Sequence, residues 1–317
     1  MLRQILAFLA GVAVLAAGIT ASAASTTNAV SVTLPAPGIT APHSTDTGSV
    51  AAPYAPVPKM YAILVGSRAP ADGVPDAIRG DLDVDRVAAQ LSWATTITLK
   101  YQWDRTASVA SDIQSAANTI AGKLRPGDSF MFYYSGHGTG GPGSGVQDFI
   151  NPVKDRGYQD NSLASVFANS AFASINKLFV IDSCFAEGMW KNDTADDRDL
   201  QTLSKISFLG SSSENGVAYA DPNANGTGYL TNAILPSLTP FSTFANVLAG
   251  GLAVDGIQVT GYFKGGNGTG LLQSVSGWSD DFDLNQSLVG QVVPEPASLI
   301  LLGCAALSLL ARRRRAR

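Results

Sequence analysis

Two side chains in this sequence have the chemistry to act as a nucleophile and a base. The chain contains two cysteines, Cys184 and Cys304, and two histidines, His43 and His137. Cys304 lies in an apolar terminal run and His43 in a Ser/Thr/Ala/Pro-rich stretch, which leaves Cys184 and His137 as the pair set in patterned sequence. A thiol attacks a carbonyl carbon as the thiolate, and an imidazolium beside it eases loss of the thiol proton. The same imidazole can then protonate a leaving amine. The competing reading is structural: cysteine is among the most buried residue types and is commonly inert, and His137 is then a hydrogen-bonded core histidine.

The elements that must position the pair have the same build. Leu178-Phe179-Val180-Ile181 is a short β-branched and aromatic run ending in Asp182-Ser183-Cys184, the pattern of a strand buried on both faces. Residues 129–134 (SFMFYY) are a second such run, followed by Ser135-Gly136-His137-Gly138. If the two strands are parallel neighbours, His137 and Cys184 share the carboxyl edge of a sheet, where open α/β folds bind ligands. Asp182 lies two residues before Cys184 and so faces the same side of its strand. A carboxylate there favours an Arg or Lys partner, unless Arg68 or Arg79 enters the pocket and reverses the charge.

Upstream, residues 61–66 (YAILVG) read as the first strand and 95–101 (TTITLKY) as the second. Helices are predicted over 81–92, with Val84, Val87, Ala88 and Leu91 at helical spacing, and over 108–124, with Ile113, Ala116, Ala117, Ile120 and Leu124 on one face. Asp81, Asp83 and Asp85 crowd the start of the first helix. One reading makes them dipole-complementing, solvated acids; the other brings one of them, Asp83, into the substrate pocket. Further helices are predicted over 162–172 and 229–238, a strand over 206–209 leading to Ser211-Ser212-Ser213-Glu214, and an edge strand over 256–263. Alternation of strand and helix predicts a parallel sheet with right-handed crossovers. Residues 139–145 (TGGPGSG) are not a P-loop, since no Gly-Lys-Ser/Thr follows, and the Asp81–Asp85 run lacks the glycine and distal glutamate of a calcium-binding EF-hand loop.

Taken together, SGHG and DSCFAEG, each ending an apolar strand, resemble the caspase-like cysteine peptidases, in particular metacaspases and bacterial caspase-like proteins. The His-to-Cys separation, 184 − 137 = 47 residues, agrees with the caspase spacing of about 50. The resemblance reaches from residue 61 to about residue 238. It departs at Phe185, where metacaspases often carry histidine. It implies an α/β fold, a caspase-like (caspase-hemoglobinase) three-layer α/β/α sandwich around a mostly parallel sheet. It further implies a cysteine endopeptidase with His137 and Cys184 as catalytic residues and the backbone amides of Gly138 and Cys184 as oxyanion hole. Asp182, Asp83 and Ser211 would contact a peptide or protein substrate, with cleavage after Arg or Lys. The resemblance calls for no metal or organic cofactor. It admits calcium as an activator, with Asp148, Asp160, Asp196 and Asp197 the nearest acids by type; scattered surface acids are the alternative. Residues 191–199 occupy the place of the caspase linker that is processed in that family. Two other readings stand beside the peptidase: a catalytically inactive caspase-fold surface or matrix binding module, and a legumain-like enzyme of different specificity.

The ends of the 317-residue chain are patterned for export. Residues 1–23 have a basic start at Arg3, an apolar run and Ala21-Ser22-Ala23, the plan of a secretory signal peptide; an uncleaved anchor is the alternative. Residues 24–58 read as a disordered spacer, residues 59–291 as the peptidase domain. Residues 292–317 combine Pro294-Glu295-Pro296, an apolar segment over 297–311 and a cluster of arginines that would hold the C-terminus in the cytoplasm. They resemble PEP-CTERM tails, which implies signal peptidase and exosortase as processing partners, membrane contact through the terminal segments before processing, and residence in the envelope, surface or matrix of a Gram-negative bacterium. A plain membrane anchor is the alternative. Without residues 1–23 and 297–317 the chain has 21 − 6 = 15 basic and 25 acidic residues, a net charge of −10. An acidic domain is a poor partner for nucleic acid. With Cys304 in the tail, no structural disulfide is expected.

Overall fold

The computed structural model describes residues 30–33, 57–68, 78–103, 107–140, 149–153, 156–190, 200–214, 216–221, 225–263, 266–280 and 282–290. A seven-stranded sheet forms the centre. Its five inner strands are parallel: β2 (Met60–Arg68), β3 (Thr95–Gln102), β4 (Ser129–Ser135), β8 (Asn176–Asp182) and β9 (Ile206–Gly210), in the spatial order β3-β2-β4-β8-β9. Two antiparallel strands close the edges, β1 (Val30–Thr33) on β3 and β14 (Ser276–Asp280) on β9.

The sequence pattern explains why the inner strands are apolar throughout. Alternate residues face opposite sides, and both sides are covered. On one face Phe130, Phe132, Tyr134, Phe179 and Ile181 pack with α2 (Val109–Ala121), α3 (Asp160–Phe167) and α4 (Ser170–Ala173). Phe130, Phe132, Phe167, Phe172 and Phe179 form a ring cluster there, with centroids 5.0–6.4 Å apart. On the other face Met131, Tyr133, Leu178 and Val180 pack with α1 (Gly80–Gln90), α5 (Tyr229–Ile234) and α6 (Phe244–Leu252). Fully burying one such side chain contributes about 1.5–3 kcal/mol.

Two small antiparallel sheets flank this core. One joins β5 (His137–Thr139), β6 (Phe149–Val153) and β7 (Arg156–Gln159); the other joins β10 (Ala220–Asp221), β11 (Thr227–Gly228), β12 (Gln258–Phe263) and β13 (Gly266–Leu272). The expected edge strand over 256–263 is therefore β12 of a separate sheet, and the main sheet takes β14 instead. Within the stretch read as a disordered spacer, Val30–Thr33 pairs with β3. The helix expected over 162–172 is two helices, because Asn169 caps a second one by accepting from the Ala171 amide at 3.0 Å. The helix expected over 229–238 passes at Ile234 into a 3-10 turn that contains Pro236, where a proline cannot supply the amide for another helical bond.

Candidate active site

The chain leaves β2 for β3 on one side and later crosses to β4 on the other, so strand order reverses between β2 and β4. The crevice at such a reversal lies outside the carboxyl ends of the strands. Three segments meet there: the start of α1 after β2, the turn after β4, and the turn after β8.

The last two are held in register. Ser135 pairs with Asp182, and the Gly136 amide donates to the Asp182 carbonyl at 3.2 Å. His137 and Cys184 thus each stand two residues past a paired position. Gly138 lies so close to the Cys184 turn that a Cβ on it would sit 1.9 Å from the Cys184 carbonyl oxygen; no larger residue fits. Tyr134 Oη fixes the histidine backbone by donating to the His137 carbonyl at 2.6 Å. The buried imidazole is stacked obliquely on Trp103, with centroids 4.2 Å apart and planes at 48°. Trp103 is held at the end of β3 by its amide, which donates to the Arg68 carbonyl at 2.9 Å.

Cys184 is half-buried, and Ala218 meets its sulfur: Sγ accepts from the Ala218 amide at 3.4 Å and donates to the Ala218 carbonyl at 3.9 Å. The next residue, Phe185, takes left-handed backbone angles (φ 56°, ψ 26°), a conformation that costs a bulky residue about 1–3 kcal/mol. Surrounding bonds hold it. Its amide donates to the Gly216 carbonyl at 3.0 Å, the Ala186 amide donates to Ser212 Oγ at 2.9 Å, and the Ser211 and Ser212 hydroxyls donate to the Ser183 carbonyl at 3.1 and 2.9 Å.

Beside the thiol is an acidic cleft lined by Asp83, Ser135, Asp182, Cys184, Tyr219 and Gly228, among others. Asp182 Oδ2 accepts from the Thr231 amide at 2.9 Å and the Thr231 hydroxyl at 2.6 Å. Asp83 Oδ2 accepts from Ser135 Oγ at 2.6 Å and the Gly228 amide at 3.1 Å, while its Oδ1 is buried without a partner. Gly228 must be glycine here, since a Cβ would fall 2.0 Å from Asp182 Oδ2. Burial raises the pKa of both carboxyls, and the Asp182 charge pushes Asp83 well above the usual carboxylate range. The pair therefore retains a proton where an ordinary acid has lost it, most strongly at Asp83. The cleft is tight, at about 20 Å3, room for about one water.

The expected site residues thus divide. Asp83, Asp182 and Cys184 line one cleft, with His137 on the adjoining strand end and Gly138 against the cysteine turn. Ser211, expected against substrate, is fully buried, with its hydroxyl on the Ser183 carbonyl and a side-chain hydrogen bond to Asp182 in the cleft; its amide continues the β9 pairing to Ile181. Arg68 and Arg79 do not line the cleft, and the Arg79 guanidinium is engaged by Asp81 at 3.0 Å. Asp160 is buried at the start of α3; Asp148, Asp196, Asp197 and His43 lie outside the described residues. Sequence reading did not single out Trp103 or Ala218.

Five parallel strands with helices on both faces, and a thiol and an imidazole on adjoining strand ends, define a caspase-type α/β domain. The chain belongs to the caspase-domain family, whose model matches residues 78–248; that family contains cysteine peptidases and inactive members. A PEP-CTERM protein-sorting motif matches residues 292–315, which marks an exported cell-envelope protein of Gram-negative type, processed by an exosortase. Among solved structures the chain is similar to protein GSU0716 from Geobacter sulfurreducens, at 16% identity and a TM-score of 0.46 over 75% of this chain and 100% of that one. It is also similar to caspase-1 from Spodoptera frugiperda, at 11% identity and a TM-score of 0.47 over 75% and 94%. No curated protein matches the chain. No helix among the described residues is long and apolar enough to cross a membrane; the apolar segment over 297–311 lies outside them.

Proposed function

We propose that this exported protein is a cysteine endopeptidase cleaving after Arg or Lys, with Cys184 as nucleophile and His137 as base and then acid. The observation that carries the reading is the register of β4 and β8, which sets His137 and Cys184 equally far past paired residues and beside a cleft with two carboxylates. His137 takes the thiol proton as Sγ attacks the scissile carbonyl carbon, then gives it to the leaving amine as the C–N bond breaks. Water, activated by the same imidazole, hydrolyses the thioester. The amides of Gly138 and Cys184 are offered to the oxyanion; one such donor is worth ~2.7–4 kcal/mol. An arginine side chain entering the cleft meets Asp83 and Asp182 and drives off the proton they retain. Because the cleft now holds about 20 Å3, Ala218–Ala220 must move off the thiol for substrate to enter.

That closure favours a second reading, a binding module that keeps the fold without turnover. Fluorogenic peptides that differ only in the residue before the cut separate the two. The peptidase reading expects turnover of Arg and Lys peptides that is abolished in folded Cys184→Ala and His137→Ala variants. Faster cleavage of Asp peptides would refute the specificity. Turnover unaffected by either substitution would refute the dyad. A wild type that binds these peptides without cutting them is the binding module.

A further inference from the structure

Because the inner strands are parallel, the sheet has two unlike edges. The active-site residues occupy the carboxyl edge. Seven residues of β4 separate it from the amino edge, a distance of about 20 Å. On the amino edge is an open cleft of about 780 Å3 lined by Lys59, Lys123 and Arg125 together with Tyr61, Thr95 and Asp128. The three cations are exposed. Among the described residues that line it the one acid, Asp128, is buried, and its carboxylate already accepts from the Lys59 and Arg125 amides, both at 2.8 Å. This basic patch contrasts with residues 24–296, which carry 15 basic and 25 acidic residues.

Two further features converge on the same edge. Phe241 is 93% exposed and Val57 75% exposed, although large apolar side chains are otherwise mostly buried in this domain. Phe241 is tied to the amino edge through its neighbours: the Leu288 amide donates to the Ser242 carbonyl at 2.9 Å, and Ser129 Oγ, at the first residue of β4, donates to the Leu288 carbonyl. Gly290 and Pro58 also meet here, since a Cβ on Gly290 would be 2.1 Å from the Gly127 carbonyl oxygen and 3.0 Å from Pro58 Cβ. The sorting motif begins at residue 292. From Gly290 to Ala297 is 297 − 290 = 7 residues, which span at most about 25 Å, so the apolar run of the tail begins no farther than that from Gly290.

We propose that the amino edge is a docking surface for anionic phospholipid, with Lys59, Lys123 and Arg125 on headgroup phosphates and Phe241 in the interfacial layer. Cations and an aromatic side chain beside the point where an apolar segment leaves are what such an interface takes. The proposal is independent of peptidase activity. It orients the domain with the Cys184 cleft facing away from the bilayer while the tail is attached.

The full-length chain, reconstituted through its own tail into vesicles of phosphatidylcholine alone or mixed with phosphatidylglycerol, tests this by lysine acylation and peptide mapping. Lys100, paired with Asp85 at the other end of β3, is the internal reference. Lys59 and Lys123 are expected to react at least about fivefold more slowly relative to Lys100 in the anionic vesicles, the effect of a single cation at such a surface. That protection should vanish at about 1 M salt, where the Debye length is ~3 Å. Arg125→Glu/Phe241→Ser, which leaves both reporters in place, should restore the rate seen in phosphatidylcholine. Equal rates in the two vesicles would overturn the proposal. So would protection that survives high salt or the double substitution, since that would point to a protein contact instead.

Discussion

Asp83→Asn separates the acidic cleft's effect on stability from its effect on substrate. In the folded protein Asp83 Oδ2 has two donors and Oδ1 none, and the neighbouring Asp182 raises its pKa further. An orphaned buried acceptor costs about 1–3 kcal/mol. Asparagine keeps an oxygen for Ser135 and Gly228 and puts an uncharged N–H, in place of the second oxygen, in the field of Asp182. The sign of the pH effect follows from the raised value: the folded state holds a proton the unfolded chain has released, so wild-type stability falls as pH rises from the ordinary carboxylate range through the folded value. Asp83→Asn removes that fall. It should be the more stable protein at pH 8 by about 1–3 kcal/mol, about 2–4 °C in Tm per kcal/mol, with the difference shrinking toward pH 4. For substrate the sign reverses. Removing one carboxylate from a buried cation's partners costs ~3–5 kcal/mol, so kcat/KM for an arginine peptide should fall at least about a hundredfold. Denaturation across pH and kinetics with matched Arg and Gln peptides are the assays. A variant that is less stable than wild type at pH 8, or that cuts arginine peptides normally, would refute the reasoning.

Substitutions at two further residues probe other parts of the fold. Lys177 is fully buried, its amine donating to the Phe172 and Ile175 carbonyls at 2.7 and 3.0 Å, and burial, aided by Lys205, lowers its pKa to about 7. Between pH 7 and the ordinary lysine range the unfolded chain holds the extra proton, so this residue makes stability rise with pH; urea midpoints of Lys177→Met should lack that rise, and an unchanged slope would exclude Lys177 as its source. Trp103→Leu should lower kcat/KM by roughly 3- to 30-fold, equivalent to ~0.5–2 kcal/mol of ring attraction for the imidazolium, with Trp103→Phe recovering most of the loss; wild-type rates in the leucine variant would leave Trp103 a packing residue only.

The inner sheet was legible because burial on both faces leaves a continuous apolar run, and 129–134 and 178–181 could be little else. The choice among Asp81, Asp83 and Asp85 was harder, yet the signal was present. Asp83 lies four residues before Val87, so it shares the buried face of α1, whereas Asp85 is exposed and pairs with Lys100. Trp103 carried no such signal, because its contact with His137 spans 34 residues and depends on where β3 ends beside β4. The edge strands escaped for a related reason. Val30–Thr33 and Ser276–Asp280 are four and five residues long, and pairing with a preformed neighbour decides their structure more than their own composition does. Ser211 came only from the family resemblance; its burial and its bond to the Ser183 carbonyl follow from the pairing of its amide with Ile181, which its own sequence context does not reveal.

The clasp of Ala218 on Cys184 also bears on how long the thiol survives after export. An oxidising compartment converts exposed thiolates to sulfenic acid, and without a second cysteine to form a disulfide the oxidation runs on to irreversible products. The only other cysteine, Cys304, lies within the sorting motif, so a chain processed there has none. The resting sulfur donates its proton to the Ala218 carbonyl at 3.9 Å and accepts from the Ala218 amide at 3.4 Å, contacts that cover part of it. If Cys184 is the nucleophile, any movement of Ala218 that admits substrate also admits an oxidant, so access to the thiol and its oxidation are governed by the same contact.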